Sequence, residues 1–99
     1  MDIQDFTMDF FSLQGKNAIV TGGNTGLGQA FSLALAKAGA NLFIPSIIAD
    51  DGMTRKLIED QGVDYAFMTA DIAGEGVPKQ IIETCVDRMG TIDILVNSA

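Results

Sequence analysis

Ala18-Ile19-Val20-Thr21-Gly22-Gly23-Asn24-Thr25-Gly26-Leu27-Gly28 is the stretch whose reading decides the fold. Ala18 to Thr21 is rich in β-branched residues (Ile19, Val20, Thr21) and shows no polar alternation, which reads as a strand buried on both faces. Gly22-Gly23 ends it. Beyond the turn, Leu27, Ala30, Phe31, Ala34, Leu35 and Ala38 recur at helical spacing and read as the helix's apolar stripe. Gly39 stops that helix, and Lys37 in its last turn suits the dipole. A strand, a glycine turn and a helix N-terminus together direct backbone N–H groups at an anion. Gly22 allows the sharp turn, Gly26 lets a pyrophosphate approach the backbone, and Gly28 lets the helix pack on the strand. The alternative is a tight turn with no ligand. No Lys follows the last glycine, so a Walker-type phosphate loop is excluded.

The rest of the chain repeats the alternation. Asn41-Leu42-Phe43-Ile44 reads as a second strand, ended by Pro45. Asp50 and Asp51 cap a short helix carrying Met53, Leu57 and Ile58, and Gly62 ends it. Tyr65-Ala66-Phe67-Met68 is the third strand. Pro78 suits the first turn of a third helix, whose stripe is Ile81, Ile82, Cys85, Val86 and Met89. Gly90 closes it, and Ile92-Asp93-Ile94-Leu95-Val96 is the fourth strand. The order βαβαβαβ predicts an α/β fold with a parallel sheet covered on both faces. Right-handed crossovers with one reversal give strand order 3-2-1-4. The first two helices then cover one face and the third the other. Ligands bind at the carboxyl ends of the strands at the reversal, where Thr21–Gly28 and Asn97–Ala99 meet.

Composition narrows the function. The 99 residues carry 13 acidic and 6 basic side chains, a net charge of −7. That balance argues against nucleic acid and anionic membrane surfaces, which attract Lys and Arg. There is no histidine, which removes a Ser-His-Asp triad, a Cys-His pair and His-ligated zinc; no metal site is expected. Cys85 is alone, so no intrachain disulfide forms and a reducing compartment, the cytoplasm, is expected. The acidic start lacks a signal peptide's features, and no apolar run approaches the ~18 residues of a membrane span. Residues 1–10 read as a loose leader and 11–99 as one domain.

Phe11-Ser12-Leu13-Gln14-Gly15-Lys16 leading into Thr-Gly-x3-Gly-x-Gly resembles the start of a short-chain dehydrogenase/reductase. Two further features support the resemblance: Asp71 in Ala70-Asp71-Ile72 after the third strand, and Asn97-Ser98-Ala99 after the fourth. Thr25 to Gln29, Gly76-Val77-Pro78 and Ile92 to Val96 look like the sugar-acid members of that family, the 2-deoxy-D-gluconate 3-dehydrogenase group. The resemblance implies the N-terminal half of a Rossmann dinucleotide-binding domain and an NAD(P)-dependent oxidoreductase. Such an enzyme moves hydride between nicotinamide and a secondary alcohol or ketone, here a small-molecule sugar acid. It also implies a homo-oligomeric parent, a tetramer in the family's usual form.

The cofactor-binding positions it implies are Gly22, Asn24, Thr25, Gly26, Leu27 and Gly28 in the turn, Ser46 after the second strand, Asp71 and Ile72, and Asn97 and Ala99. Asp71 would accept from the adenine amino group. Asn97 would brace the sheet beside the cofactor ribose. Position 46 often holds Asp in NAD-dependent members; here it is Ser46 behind an unusual Pro45, and Asp50 is first a helix cap and second a ribose ligand. Thr25 and Ile47 stand where a cation would meet a 2′-phosphate, so NAD is expected over NADP. Ser98 departs from the family's Asn-Asn-Ala-Gly. The family's catalytic Ser, Tyr-x3-Lys and supporting Asn find no match: Tyr65 is followed four positions on by Thr69 and reads as packing, and Cys85 as a buried inert thiol. No catalytic residue is therefore expected in these 99 residues, which would be a fragment inactive alone. The alternative is a non-catalytic nucleotide-binding or interaction module.

Overall fold

The fold is built by alternating strands and helices over residues 12–98, the part that the computed structural model describes. The order is β1 (Asn17–Thr21), α1 (Gly26–Lys37), β2 (Asn41–Ser46), α2 (Met53–Glu59), β3 (Tyr65–Thr69), α3 (Val77–Met89) and β4 (Ile94–Asn97). All strand pairings are parallel and the sheet order is β3-β2-β1-β4, as the pattern of runs predicts. The leader at residues 1–10, Phe11 and the site candidate Ala99 lie outside the described residues.

Strand residues alternate between two cores. Ala18, Val20, Leu42 and Ile44 turn to the side of Ala36 in α1 and Ile58 in α2. Ile19 and Phe43 turn to the other side, against Ile81 and Cys85 of α3. The first two helices thus cover one face and the third the other. Every residue of β1 is buried, which explains its continuous apolar run.

The helix faces depart from the sequence reading. In α1 the fully buried residues are Gly28, Ser32 and Ala36, and of the expected stripe Leu35 packs against the core. Leu27 is 68% exposed, and Ala30, Phe31 and Ala34 also face outward. The reason is distance. The glycine turn brings the helix so near β1 that only small side chains fit between them. In α3 only Ile81 and Cys85 are fully buried, while Ile82 and Val86 stand exposed on its outer side.

β1 starts one residue earlier than read, at Asn17, and β3 ends one later, at Thr69; three further boundaries also differ. β2 runs through Pro45 to Ser46 instead of stopping at Ile44. Proline's missing N–H is tolerated because the β1–β2 register ends at Ile19↔Phe43, and the nearby Val20 carbonyl accepts from Gly23 N–H. The N-cap of α2 is Gly52, with φ +94°, and not an aspartate. Asp50 and Asp51 instead accept from the N–H groups two residues on, Gly52 and Met53, as Asx turns. β4 begins at Ile94, not Ile92, and includes Asn97. Asp93, just before it, bonds Asn17 twice: its N–H donates to the Asn17 carbonyl and its carboxylate accepts from the Asn17 N–H, both at 2.9 Å.

Among the described residues β4 pairs with β1 alone, and its Leu95 is 60% exposed. An open apolar strand edge invites pairing with another chain. Residues 1–99 expressed by themselves should therefore self-associate on size-exclusion chromatography, with weak amide protection from Ile94 to Asn97. A monomer with strongly protected β4 amides would contradict this.

Candidate functional site

The site begins where β1 gives way to its turn. The Thr21 hydroxyl donates to Asn97 Oδ1 at 2.9 Å, and Ser98 N–H donates back to Thr21 Oγ1 at 3.1 Å. Ser98 Oγ donates to the Thr21 carbonyl at 2.7 Å. These bonds tie the ends of β1 and β4 together at the reversal of strand order. Ser98, a departure from the family pattern, is part of this tie.

Gly22 and Gly26 take positive φ, +63° and +50°. A Cβ on Gly28 would sit 2.2 Å from the Gly22 carbonyl oxygen and 2.6 Å from Ser98 Oγ. Residue 28 therefore has to be glycine if α1 is to start here. Ser32, one turn later, donates toward the carbonyls of Gly23 and Gly28, both at 2.9 Å.

The first turn of α1 is left open to an acceptor. Thr25 is the N-cap, yet its side chain makes no capping bond, and no acidic residue occupies the first turn. The opening N–H groups of any helix lack intrahelical acceptors and carry the positive end of the dipole. A Cβ on Gly26 would meet no atom within 4 Å, so the backbone there borders open space.

Beside it lies a cleft of about 240 Å³ lined by Thr21, Gly22, Thr25, Pro45, Ser46, Ile47, Ile48, Ala70, Asp71, Ile72, Ile81 and Ser98. It sits at the carboxyl ends of the strands, where open α/β sheets bind ligands. Whole small-molecule sites run roughly 300–1,000 Å³, and this cleft, over the described residues, is smaller than that. Among the described residues its lining carries one charge, the Asp71 carboxylate, and no cation.

The cleft brings together Gly22, Thr25, Ser46, Asp71 and Ile72, but not Asn24, Gly26, Leu27, Gly28 or Asn97. Leu27 faces solvent. Asn24 is buried behind the turn and donates from Nδ2 to the Ile48 carbonyl at 2.8 Å. Ser46 is buried too, and its Oγ accepts from Ile48 N–H at 3.1 Å. One oxygen of Asp71 accepts from Ala73 N–H at 3.0 Å, while the exposed residue borders the cleft. Asp50 stands off the cleft and accepts from the Tyr65 hydroxyl. Tyr65 packs against the core, with the Arg55 guanidinium 4.8 Å above its ring. Burial, followed by the Asp50 carboxylate, pushes its hydroxyl above the usual range. Burial likewise pushes the Cys85 thiol up.

Sequence reading did not find Ile48, Ala70 or Ile81 as lining residues. Ile81 was legible only as core. Ile47-Ile48 carried a signal, since two branched apolar residues directly after a strand end have no sheet left to cover them.

The donor set fits a dinucleotide. The open N–H groups of α1 suit a pyrophosphate, Asp71 offers an acceptor to an amino group, and Ile47, Ile48 and Ile72 offer apolar surface to a ring.

Comparison with known proteins shows the family. The sequence pattern of the short chain dehydrogenase family matches residues 16–99. The chain is 64% identical over 94 residues to the uncharacterized oxidoreductase YgcW of Escherichia coli K12, covering 95% of this chain and 36% of that protein. It is 40% identical over 92 residues to 2-dehydro-3-deoxy-D-gluconate 5-dehydrogenase of Bacillus subtilis, covering 92% of this chain and 35% of that one. The structure superposes on the RhlG/NADP active-site complex of Pseudomonas aeruginosa with a TM-score of 0.80 and 33% identity, covering 91% of this chain and 36% of that one. The chain thus spans about a third of the length of the relatives it matches.

Gly28→Ala should lower stability by about 1–3 kcal/mol or more, because the Gly22 carbonyl it strikes is backbone and cannot yield cheaply. Gly26→Ala meets open space and should cost only the left-handed backbone strain, about 1–2 kcal/mol. Denaturant midpoints of the two variants in the full-length protein check the order.

Proposed function

The chain belongs to the short-chain dehydrogenase family, and from that premise we propose that it supplies the cofactor cleft of an NAD-dependent oxidoreductase. The observation that carries this reading is the pairing of an uncapped helix N-terminus with a cleft at the reversal of strand order. Backbone N–H groups from Thr25 to Gly28 would hold the pyrophosphate. Asp71 and Ile72 would hold the adenine, Ser46 and Ile47 would border its ribose, and Asn97 would brace the floor through Thr21. When bound, the nicotinamide cofactor supplies the group that gives or takes hydride. These residues bind and orient it; none of them is placed to move the substrate's proton.

The substrate class we propose is a sugar acid bearing a secondary alcohol or ketone. Forty per cent identity to a gluconate-derivative dehydrogenase over 92% of this chain supports it. We also propose that the enzyme is a homo-oligomer working in the cytoplasm, where the lone buried Cys85 would stay reduced.

NAD is the proposed cofactor, although one solved relative is a complex with NADP. A 2′-phosphate needs a cation beside the ribose. The cleft lining has none, and Ile47, 65% exposed, stands on that side. Titration of the full-length protein should give tighter binding of NAD than of NADP at moderate salt. Ile47→Arg should tighten NADP about tenfold, the worth of one charge-assisted bond of about 1.5 kcal/mol. Turnover of a panel of sugar acids, followed by nicotinamide absorbance, tests the activity. A folded protein that oxidises or reduces none of them, nor any other secondary alcohol or ketone, would overturn it.

A further inference from the structure

Asn24 lies in the glycine turn, yet it is only 9% exposed and does not line the cleft. Its Nδ2 reaches across to the carbonyl of Ile48, in the loop that forms the opposite wall. That loop segment is pinned from a second direction, since Ile48 N–H donates to Ser46 Oγ. The backbone of Asn24 is held in turn: its carbonyl accepts from Thr54 Oγ1 of α2 at 3.4 Å, and Gln29 of α1 donates to that hydroxyl at 2.9 Å. The two walls of the cleft, the turn and the loop after β2, are therefore joined through one side chain.

The join is bought against stability. Asn24 Oδ1 is buried with no hydrogen-bond partner among the described residues. A buried acceptor left unmade is destabilising, and a glycine or alanine here would avoid it. What the asparagine gains is the reach of its amide to Ile48.

We infer that Asn24 is a positioning residue for nucleotide binding: its amide fixes the Ile47–Ile48 segment so that the cleft wall is set before the ligand arrives. It touches no ligand itself. The inference rests on the nucleotide reading of the cleft. A loop ordered in advance spares the ligand the cost of ordering it. If releasing the bond leaves the competent loop about one-tenth populated, apparent affinity falls about tenfold.

The test is calorimetric titration of the full-length protein with ADP-ribose, which carries the adenosine and pyrophosphate without the nicotinamide. Wild type should bind, Asn24→Ala should bind about tenfold more weakly, and the Ile48 amide should exchange faster in the variant. Tyr65→Phe is the comparison. It cuts the tie to Asp50 at the far end of the same loop, keeps the ring, and should lower stability while leaving ADP-ribose affinity within twofold. If Asn24→Ala does not fold, Asn24→Ser keeps a polar atom but lacks the reach, and should show the same loss. An Asn24 variant that melts earlier yet binds ADP-ribose as wild type does would overturn the inference and make Asn24 a structural tie only. So would a Tyr65→Phe loss as large as that of Asn24→Ala. Failure of wild type to bind ADP-ribose would instead overturn the nucleotide reading itself.

Discussion

The absence of a side chain at residue 28 is the constraint on which the cleft depends. With the Gly22 carbonyl 2.2 Å from where a Cβ would lie, α1 can start directly behind β1 only as glycine. That contact aims the helix axis at the strand ends. It also decides which residues of α1 are fully buried, the small row Gly28, Ser32 and Ala36, with Leu35 packing at the flank. The buried Ser32 hydroxyl then returns the favour by bonding the carbonyls of Gly23 and Gly28, holding the turn in the shape that exposes its N–H groups.

The topology was legible because each of its signals is local and redundant. Gly39, Gly62 and Gly90 mark the helix ends, helix-length spacings separate the apolar strand runs, and chirality leaves one sheet order once a reversal is assumed. The helix faces were not legible by the same means. Counting apolar residues favours Leu27, Ala30, Phe31 and Ala34 in α1, and a hydrophobic stripe normally faces a core. Here backbone proximity overrides hydrophobicity. The contrary signal was in the sequence as a four-residue spacing of small side chains, Gly28, Ser32 and Ala36, but nothing in the spacing says how close the strand lies.

The site was legible in its backbone and less so in its side chains. Gly22, Thr25, Ser46, Asp71 and Ile72 line one cleft. Asn24 bonds to the loop after β2, and Asn97, read as a brace of the sheet beside the ribose, bonds to Thr21. A side-chain amide is equally suited to a ligand or to a neighbouring carbonyl, so residue type alone cannot separate the two. Pro45 misleads in a similar way. Proline argues against a strand interior, yet here its missing donor falls past the end of the ladder with β1, and the strand continues.

A chain of net charge −7 proposed to hold a pyrophosphate needs an account of how it does so. Cations do not supply it, since none lines the cleft. Attraction from distant charges is unfavourable and falls off over about 8 Å at physiological salt. What remains is short-range: N–H groups at the start of α1, in contact distance, with a dipole that acts within the first turn. Such a site binds by geometry more than by field. It works only if the turn, the helix start and the facing loop are already in register, which is why the uncharged bonds of Thr21, Ser32, Asn24 and Ser98 matter as much to the proposed function as the residues that would meet the cofactor.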